Sequence, residues 1–276
     1  MDPLNEELYE RALRSCAEEI CADGKLKLVL IAGGSCSGKT TTTGKLARLI
    51  RQLGRPVDTI SLDDYYRNPE NTIYLPNGMP DFEGINSLRL DLLQDTMRRI
   101  AAGEEAPIPF FDFMVHRRTD NYRILKPVPG GITIVEGLHA LNPQISGPDT
   151  PPEALYRIYL YADSGDGEDC RFLRRLVRDS RYRASDAAET YATWDTVRGA
   201  EKDTIEPFAK FANRSINTFF EYERSVLADD AVAVLKGLPS ENPHFPQAQA
   251  LIRLLSAVPL LPDDVVPEDS LLREFI

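Results

Sequence analysis

Eight residues near the start of the chain have the types and spacing of a phosphate-binding loop. Gly33 and Gly38 bracket four residues, and Lys39 and Thr40 follow, which gives the pattern G-x-x-x-x-G-K-[ST]. Glycines let backbone N–H groups close around phosphate oxygens, the lysine reaches the β- and γ-phosphates, and the threonine hydroxyl ligates Mg²⁺. The pattern therefore predicts a nucleoside triphosphate site, a P-loop.

The segments on either side of this loop have the composition that such a site needs. Residues 28–32 form a short apolar run of the buried-strand kind, and residues 42–50 carry apolar residues at helical spacing before Gly54. A strand therefore leads into the loop, and the loop leads into a helix whose positive N-terminal end points at the phosphates.

Acidic residues follow two other predicted strands. Residues 56–62 lead into Asp63 and Asp64, and the strand over residues 131–137 ends in Glu136 and a glycine. In an α/β chain the ligand crevice lies outside the carboxyl ends of the parallel strands. In P-loop proteins a carboxylate at such a strand end holds the metal or its water. We therefore expect these carboxylates beside the phosphates.

Two further segments concentrate aromatic and basic side chains. Residues 106–118 combine prolines and aromatics with a histidine and two arginines, which predicts an edge strand or hairpin. This segment could form an aromatic and polar pocket, or core aromatics with a solvated basic turn. Residues 171–183 carry six arginines on a helix with an apolar face. Because the chain is otherwise acidic, we expect these arginines to form a lid over phosphates rather than a solvated face.

The rest of the chain predicts helices and strands in alternation. The expected elements are an amphipathic helix over 3–22, a loop over 67–86, a helix over 88–100, a loop over 143–152, a strand over 155–161, a helical stretch over 186–227 broken near 199 and 207, a strand over 231–235, and a helix over 246–256. This alternation predicts an α/β fold, a parallel sheet flanked by helices with an arginine-rich helical lid. We expect one domain over 1–276, with an N-terminal helix (1–25), a lid region (167–196) and a C-terminal helix and tail (239–276).

Composition narrows the expected partners and compartment. The 276 residues carry a net charge of −11, which argues against a general nucleic-acid surface. The four cysteines contain no C-x-x-C pair, which is typical of free thiols in a reducing compartment. The chain has no apolar run of membrane-spanning length and no signal peptide. The expected location is the cytoplasm, and we expect no nucleic-acid or membrane partner.

With these motifs in place, the chain resembles the uridine kinase branch of the uridine kinase/phosphoribulokinase family of P-loop kinases. The matches occur in the family's order and cover most of residues 26–236. They lie at residues 33–40, 61–66, 81–83, 110–116, 134–137 and 174–179. A narrower likeness is to bacterial uridine-kinase-like proteins often fused behind a TGS-type nucleic-acid-binding domain. It rests on residues 194–201, 213–217, 222–223 and 273–276.

The resemblance implies an ATP- and Mg²⁺-dependent kinase that phosphorylates the 5′-hydroxyl of uridine or cytidine. Asp63 would accept the hydroxyl proton, and Thr40 and Glu136 would hold Mg²⁺. The implied catalytic residues are Asp63, Lys39, Arg175 and Arg178. The implied nucleotide-binding residues are Gly33, Gly34, Ser35, Cys36, Ser37, Gly38, Lys39, Thr40, Thr41 and the lid residue Arg183. The implied substrate-binding residues are Tyr66, Glu83, Phe111, His116 and Arg118.

The chain departs from the family pattern in the acceptor pocket and the lid. Glu83 stands where an aspartate usually binds the ribose hydroxyls, and Phe111 stands where a tyrosine usually contacts the base. Residues 183–185 read Arg-Ala-Ser where Arg-Gly-Arg is common. These changes fall in the acceptor pocket and the lid, not in the phosphate-binding loop. The sequence therefore indicates the kinase chemistry more strongly than it indicates the acceptor.

Three other functions are compatible with the same motifs. The first is a kinase for another small hydroxyl compound, such as a sugar or polyol. The second is a nucleotide-dependent switch, since residues 81–84 fit the D-x-x-G of GTPases, although no N-K-x-D motif follows. The third is a regulator that keeps the nucleotide site without phosphorylating. A homo-oligomer is also expected from the family, without a stretch that marks an interface.

Overall fold

A computed structural model describes residues 6–74, 78, 81, 83–113, 115, 117–165 and 170–276, apart from the side chains of 120 and 121. The strands are β1 (Leu28–Gly33), β2 (Val57–Ser61), β3 (Ala106–Asp112), β4 (Arg117–Leu125), β5 (Ile132–Glu136), β6 (Leu155–Tyr161) and β7 (Arg214–Asn217). The helices are α1 (Glu7–Ala22), α2 (Lys39–Gln52), α3 (Leu90–Ala102), α4 (Pro143–Ser146), α5 (Cys170–Arg183), α6 (Ala187–Thr204), α7 (Glu223–Lys236) and α8 (Phe245–Leu255).

Five parallel strands form the central sheet in the order β2-β5-β1-β6-β7. The register places Glu136 of β5 beside Ile31 of β1 on one side and beside Ser61 of β2 on the other. The three strands therefore end together at one edge. The phosphate-binding loop after β1 and the acidic residues at the ends of β2 and β5 meet there, as the sequence predicts.

The sheet separates two hydrophobic clusters, and β1 contributes alternate residues to each. Val29 and Ile31 pack into the cluster that holds α1, α2, α5, α7 and α8. Leu28 and Leu30 pack into the cluster that holds α3 and the β3–β4 hairpin. All four side chains are buried, so β1 reads as a continuous apolar run, which is typical of a strand covered on both faces. The predicted α/β fold, a parallel sheet flanked by helices, is confirmed.

The hairpin is a sheet of its own. Strands β3 and β4 pair with each other in antiparallel fashion, with a register irregularity between Ile108 and Phe110. This agrees with the hairpin predicted from the prolines and aromatics. The hairpin packs against the segment that follows β2, so it forms one wall of the crevice at the strand ends.

Three secondary-structure predictions after residue 186 are wrong. Residues 231–235 lie in helix α7 rather than in a strand, because Leu227, Ala231 and Leu235 recur every four residues on the buried face. Strand β7 was missed inside the predicted helical stretch, because it contributes a single buried apolar residue, Ile216, at the sheet edge. Helix α6 also runs without interruption through Gly199.

Within the described ranges, no helix is both long enough and apolar enough to cross a bilayer. All four cysteines are free thiols, three of them buried, which agrees with the prediction of no disulfide framework.

Candidate active site

A cavity of about 900 Å³ opens at the carboxyl edge of the central sheet. Its walls come from the loop after β1, the segments after β2 and β5, the hairpin tip, helix α5 and residues near the end of the chain. The lining residues are Ser35, Cys36, Gly38, Lys39, Thr40, Asp63, Tyr66, Glu83, Phe113, Glu136, Leu138, Arg175, Arg178, Arg183 and Glu274. Most of the sequence-predicted site residues therefore share one space.

The phosphate-binding loop has the shape that its glycines allow. Gly38 has a φ of +79°, and it stands directly before the first residue of α2. The Nζ atom of Lys39 donates to the carbonyls of Gly33 (3.1 Å) and Gly34 (3.0 Å), so the ammonium lies over the loop. The loop and the N-terminus of α2 thus present backbone amides and one ammonium to the cavity, which suits phosphate oxygens.

A buried ion pair between Arg171 and Glu201 holds the backbone of this loop in place. The Ser35 amide donates to Glu201 Oε1 at 2.7 Å, and Arg171 bridges Glu201 Oε2 (3.0 Å) and the Ser35 carbonyl (3.2 Å). Both charged side chains are nearly inaccessible to solvent. The pair was missed by reasoning from single motifs, because the two residues lie on α5 and α6, thirty positions apart.

Arg174, like Arg171, has a structural role. Its guanidinium is fully buried, pairs with Glu223 Oε2 at 2.6 Å, and donates to the carbonyls of Cys36 and Thr218. It ties α5 to α7 and to the phosphate-binding loop. At least two of the six arginines, Arg171 and Arg174, therefore hold the fold together and do not belong to the predicted lid.

The three predicted lid residues, Arg175, Arg178 and Arg183, all line the cavity. They share one buried carboxylate, Asp179, at nitrogen–oxygen distances of 3.3, 2.8 and 3.5 Å respectively. Three guanidinium groups around one carboxylate leave a surplus of positive charge facing the cavity. Asp179 holds that charge in place. It lies four residues from both Arg175 and Arg183, the helical spacing at which such pairs form, although the sequence analysis did not assign it this role.

Three carboxylates stand on the opposite side of the cavity. Burial raises the pKa of Asp63, an effect opposed by Lys39 and then by Arg183. Burial also raises the pKa of Glu136, opposed by Lys39 and by the hydrogen bond that Ser61 donates at 2.7 Å. Burial raises the pKa of Glu83 as well, opposed by Arg175. These groups would be stabilised as anions by a cation placed between them.

Thr40 and Glu136 offer hydroxyl and carboxylate oxygens, the hard donors that Mg²⁺ prefers. Across the described residues, no group of three or more His, Cys, Asp or Glu side chains gathers into a metal site. Mg²⁺ at a phosphate site usually takes one or two protein oxygens and completes its shell with phosphate and water. The donor set therefore fits Mg²⁺ bound together with a nucleotide.

The hairpin end of the cavity is aromatic and acidic. Tyr66 contacts the rings of Phe111 (5.7 Å between centroids) and Phe113 (6.2 Å) edge-on. Phe113 is half exposed and lines the cavity, whereas Phe111 is only 2% exposed and packs in the core beneath it. In the described part of the chain, the buried Oε2 atom of Glu83 has no hydrogen-bond partner. This end of the cavity can take a flat ring together with hydroxyl donors.

Some predicted site residues do not line this cavity in the described part of the chain. Arg118 lines a separate cleft with Arg67 and Arg89, and does not line the main cavity. His116 is outside the described residues. Thr41 lies in the first turn of α2, where its hydroxyl donates to Glu274 Oε2 at 2.9 Å.

Comparisons with known proteins show the family and the fold of the chain. The model of the phosphoribulokinase / uridine kinase family matches residues 28–221. A uridine kinase of Macrococcus caseolyticus (strain JCSC5402) is 28% identical over 192 residues, which is 68% of this chain and 86% of that protein. A uridine kinase of Staphylococcus aureus (strain JH9) is 27% identical over 187 residues, 67% of this chain and 84% of that protein.

One solved structure has the same fold over most of the chain. It is YFH7 from Saccharomyces cerevisiae, a proposed P-loop kinase with a circular permutation, with a TM-score of 0.52, 11% identity, and coverage of 79% of this chain and 99% of that one. At this identity the likeness concerns the fold alone. The family match spans well over half of the chain, and it contains the phosphate-binding loop, the acidic strand ends and the arginine helix. The chain therefore belongs to the phosphoribulokinase/uridine kinase family of P-loop kinases.

Proposed function

We propose that the protein transfers the γ-phosphate of ATP to the 5′-hydroxyl of a pyrimidine ribonucleoside, uridine or cytidine. One observation carries the proposal. Two carboxylates, Asp63 and Glu83, share a cavity with the Lys39 ammonium of the phosphate-binding loop, between an aromatic wall and an arginine wall. Side chains with the chemistry to accept a proton, bind hydroxyls and bind phosphate thus line one space.

The donor side of the cavity binds and neutralises phosphate. The amides of the loop, Lys39, and the arginines at 175, 178 and 183 face the region where a triphosphate would bind. Phosphoryl transfer depends mostly on positioning and on stabilising charge on the equatorial oxygens. Lys39 is held by loop carbonyls and would turn toward the β- and γ-phosphates when nucleotide binds. When bound between Thr40 and Glu136, Mg²⁺ supplies further charge neutralisation at the phosphates.

Asp63 is the proposed base. It follows β2 at the sheet edge, and its side chain faces the cavity beside Lys39. A carboxylate with a raised pKa is a stronger proton acceptor than an exposed aspartate. The acceptor oxygen would attack the γ-phosphorus as its proton passes to Asp63, while the bond to the β-phosphate oxygen breaks and ADP leaves.

Glu83 and Phe113 are the proposed acceptor-binding residues. An ionised Glu83 accepts hydrogen bonds only, so it can take two from neighbouring ribose hydroxyls. Its buried, unpartnered Oε2 atom is consistent with that role. Phe113, rather than the predicted Phe111, has an open face for a pyrimidine ring, because Phe111 lies beneath it in the core.

A panel of acceptors tests the proposal. We expect ATP-dependent phosphorylation of uridine and cytidine, with kcat/KM for 2′-deoxyuridine lower by about 10³-fold, because a missing hydroxyl leaves Glu83 partly unpaired. Glu83→Gln should narrow this difference by weakening uridine more than deoxyuridine. Equal values for uridine and deoxyuridine would contradict the role of Glu83.

The buried position of Phe111 also favours a second candidate, a kinase for a sugar or polyol that needs no base contact. Ribose and glycerol therefore belong in the panel. If ribose or glycerol is phosphorylated and no nucleoside is, the acceptor is not a nucleoside, but the protein is still a kinase. No phosphorylation of any acceptor, with ATP still bound, would favour a regulator.

A further inference from the structure

The segment Ser270–Ile276 packs against the phosphate-binding loop, although it lies beyond the family match at residues 28–221. It contains a short 3₁₀ helix, Leu271–Glu274, and the side chains of Leu271, Leu272 and Phe275 are fully buried. We refer to this segment as the 270–276 segment. Its burial shows that it is a fixed part of this conformation.

Contacts from several elements hold the 270–276 segment in place. The Ser270 hydroxyl is 3.3 Å from the Tyr222 hydroxyl and donates to Glu6. The Arg174 guanidinium lies over the Phe275 ring at 5.3 Å, and the Tyr182 hydroxyl donates to the Ile276 carbonyl. The segment is therefore attached to α5 and to the turn before α7.

Leu271 and Glu274 contact the phosphate-binding loop and the start of α2. A side chain at Gly38 would collide with Leu271, so the glycine is needed here for space as well as for its positive φ. Thr41 Oγ1 donates to Glu274 Oε2 at 2.9 Å. Glu274 also lines the main cavity with Lys39 and Arg178. Its carboxylate thus stands at the positive end of α2.

An anion at this position interacts favourably with the N-terminus of α2, as phosphate does. The same first turn, with Lys39 and Thr40, is where the phosphates of a nucleotide bind. Two anions cannot share this turn without repulsion. Glu274 also lines the same cavity as Thr40 and Glu136, so its charge lies on the wall of the space that a nucleotide and its Mg²⁺ would enter.

We propose that Glu274 is an internal competitor of the nucleotide: its carboxylate occupies the first turn of α2, and the 270–276 segment moves off Thr41 when ATP binds. This rests on the proposed function, since it takes the phosphate-binding loop as the donor site. The acceptor plays no part in it. The segment sets the affinity for ATP through the charge of one residue.

Direct ATP titration of Glu274→Gln, without acceptor, tests this. Glutamine keeps an oxygen for Thr41 and removes the charge, so the Kd for ATP should fall about five-fold, the effect of one charge at a helix terminus. Glu268→Gln is the matched control, because Glu268 is exposed and the same charge is removed. Its Kd should equal that of the wild type. An unchanged or weaker affinity in Glu274→Gln would overturn the proposal.

Hydrogen exchange gives a readout independent of the variants. Amides of residues 271–276 should exchange faster in the wild type when ATP is saturating, because the segment leaves its site. Slower exchange would show that the segment is a fixed wall of the nucleotide site and would contradict the competitor. Wild type that binds no ATP at all would contradict the proposed function itself, whereas bound ATP with no nucleoside turnover would leave this inference standing.

Discussion

Two faces of helix α5 carry arginines with opposite roles. On the inner face, Arg171 and Arg174 each have a buried carboxylate, Glu201 and Glu223. On the cavity face, three arginines share Asp179. The inner face is neutral and ties the phosphate-binding loop to the helices, whereas the cavity face keeps an excess of positive charge. Arginine content alone therefore does not distinguish the two faces, whereas the number of partner carboxylates does.

The ion pairs of the inner face can be tested by removing one member of the most buried pair. Arg174→Ala would leave Glu223 charged, buried and without its partner, so the free energy of unfolding should fall by about 3–5 kcal/mol. Urea denaturation followed by circular dichroism measures this.

A matched control lies on the same helix. Arg181 is partly exposed and pairs with Asp230 and Asp263 at the surface, so Arg181→Ala should cost about 1 kcal/mol or less. Similar losses for Arg174→Ala and Arg181→Ala would remove the distinction between the two faces.

The cavity face should respond in rate rather than in stability. Arg178→Ala removes a positive charge facing the phosphates, so kcat should fall by about 10²-fold, as the loss of one transition-state contact does. Arg181→Ala should leave kcat unchanged. A rise in KM for ATP with kcat unaltered would mean that Arg178 contributes to ground-state binding only.

A smaller effect concerns the carboxylates that face these arginines. Burial raises the pKa of Asp63 in the folded protein, so ionisation of Asp63 destabilises the folded state. This loss of stability develops as pH rises from the ordinary aspartate pKa through the raised pKa. Asp63→Asn should therefore raise Tm at pH 7 by about 2 °C, the shift that roughly 1 kcal/mol gives at this size.

The gain in Asp63→Asn should shrink as pH falls through the ordinary aspartate pKa of about 4, and it should disappear roughly one pH unit below that value, where the aspartate is protonated in both states. Thermal melts of the ligand-free proteins at several pH values check this. A gain that is independent of pH would show that the charge of Asp63 is not its cause.

The parts of the fold that sequence predicts are those with strong local patterns. The loop at Gly33 to Thr40 and the buried run of β1 follow from spacing and composition, and the sheet edge at Asp63 and Glu136 follows from parallel pairing. Strand β7 could not be predicted, since Ile216 is its one buried apolar residue. Its place depends on the edge of β6, which is a tertiary property.

The site, like the fold, could be predicted only where its residues belong to one local pattern. Residues of one motif lie together at the cavity, whereas contacts between residues far apart in the chain could not be predicted from the sequence. Arg174 and Arg175 are neighbours on one helix, and the distant Glu223 is what marks Arg174 as the buried one, whereas Asp179, the partner of Arg175, lies one helical turn away. Phe111 lies within β3 and packs in the core, whereas Phe113 lies just beyond the end of that strand and stays half exposed, so the end of β3 decides which ring faces the cavity.

The central claim is that Asp63 is the base of a phosphoryl transfer in this cavity. The most direct measurement compares kcat for Asp63→Asn and Asp64→Asn with the best acceptor of the panel, beside ATP affinity measured separately. Asp64 is the control, because it accepts the Phe111 amide at 3.3 Å and belongs to the hairpin contact. The account predicts a fall in kcat of about 10³-fold for Asp63→Asn with ATP binding retained, and most turnover kept in Asp64→Asn. Turnover of Asp63→Asn within about ten-fold of the wild type, or a larger loss in Asp64→Asn, would contradict it.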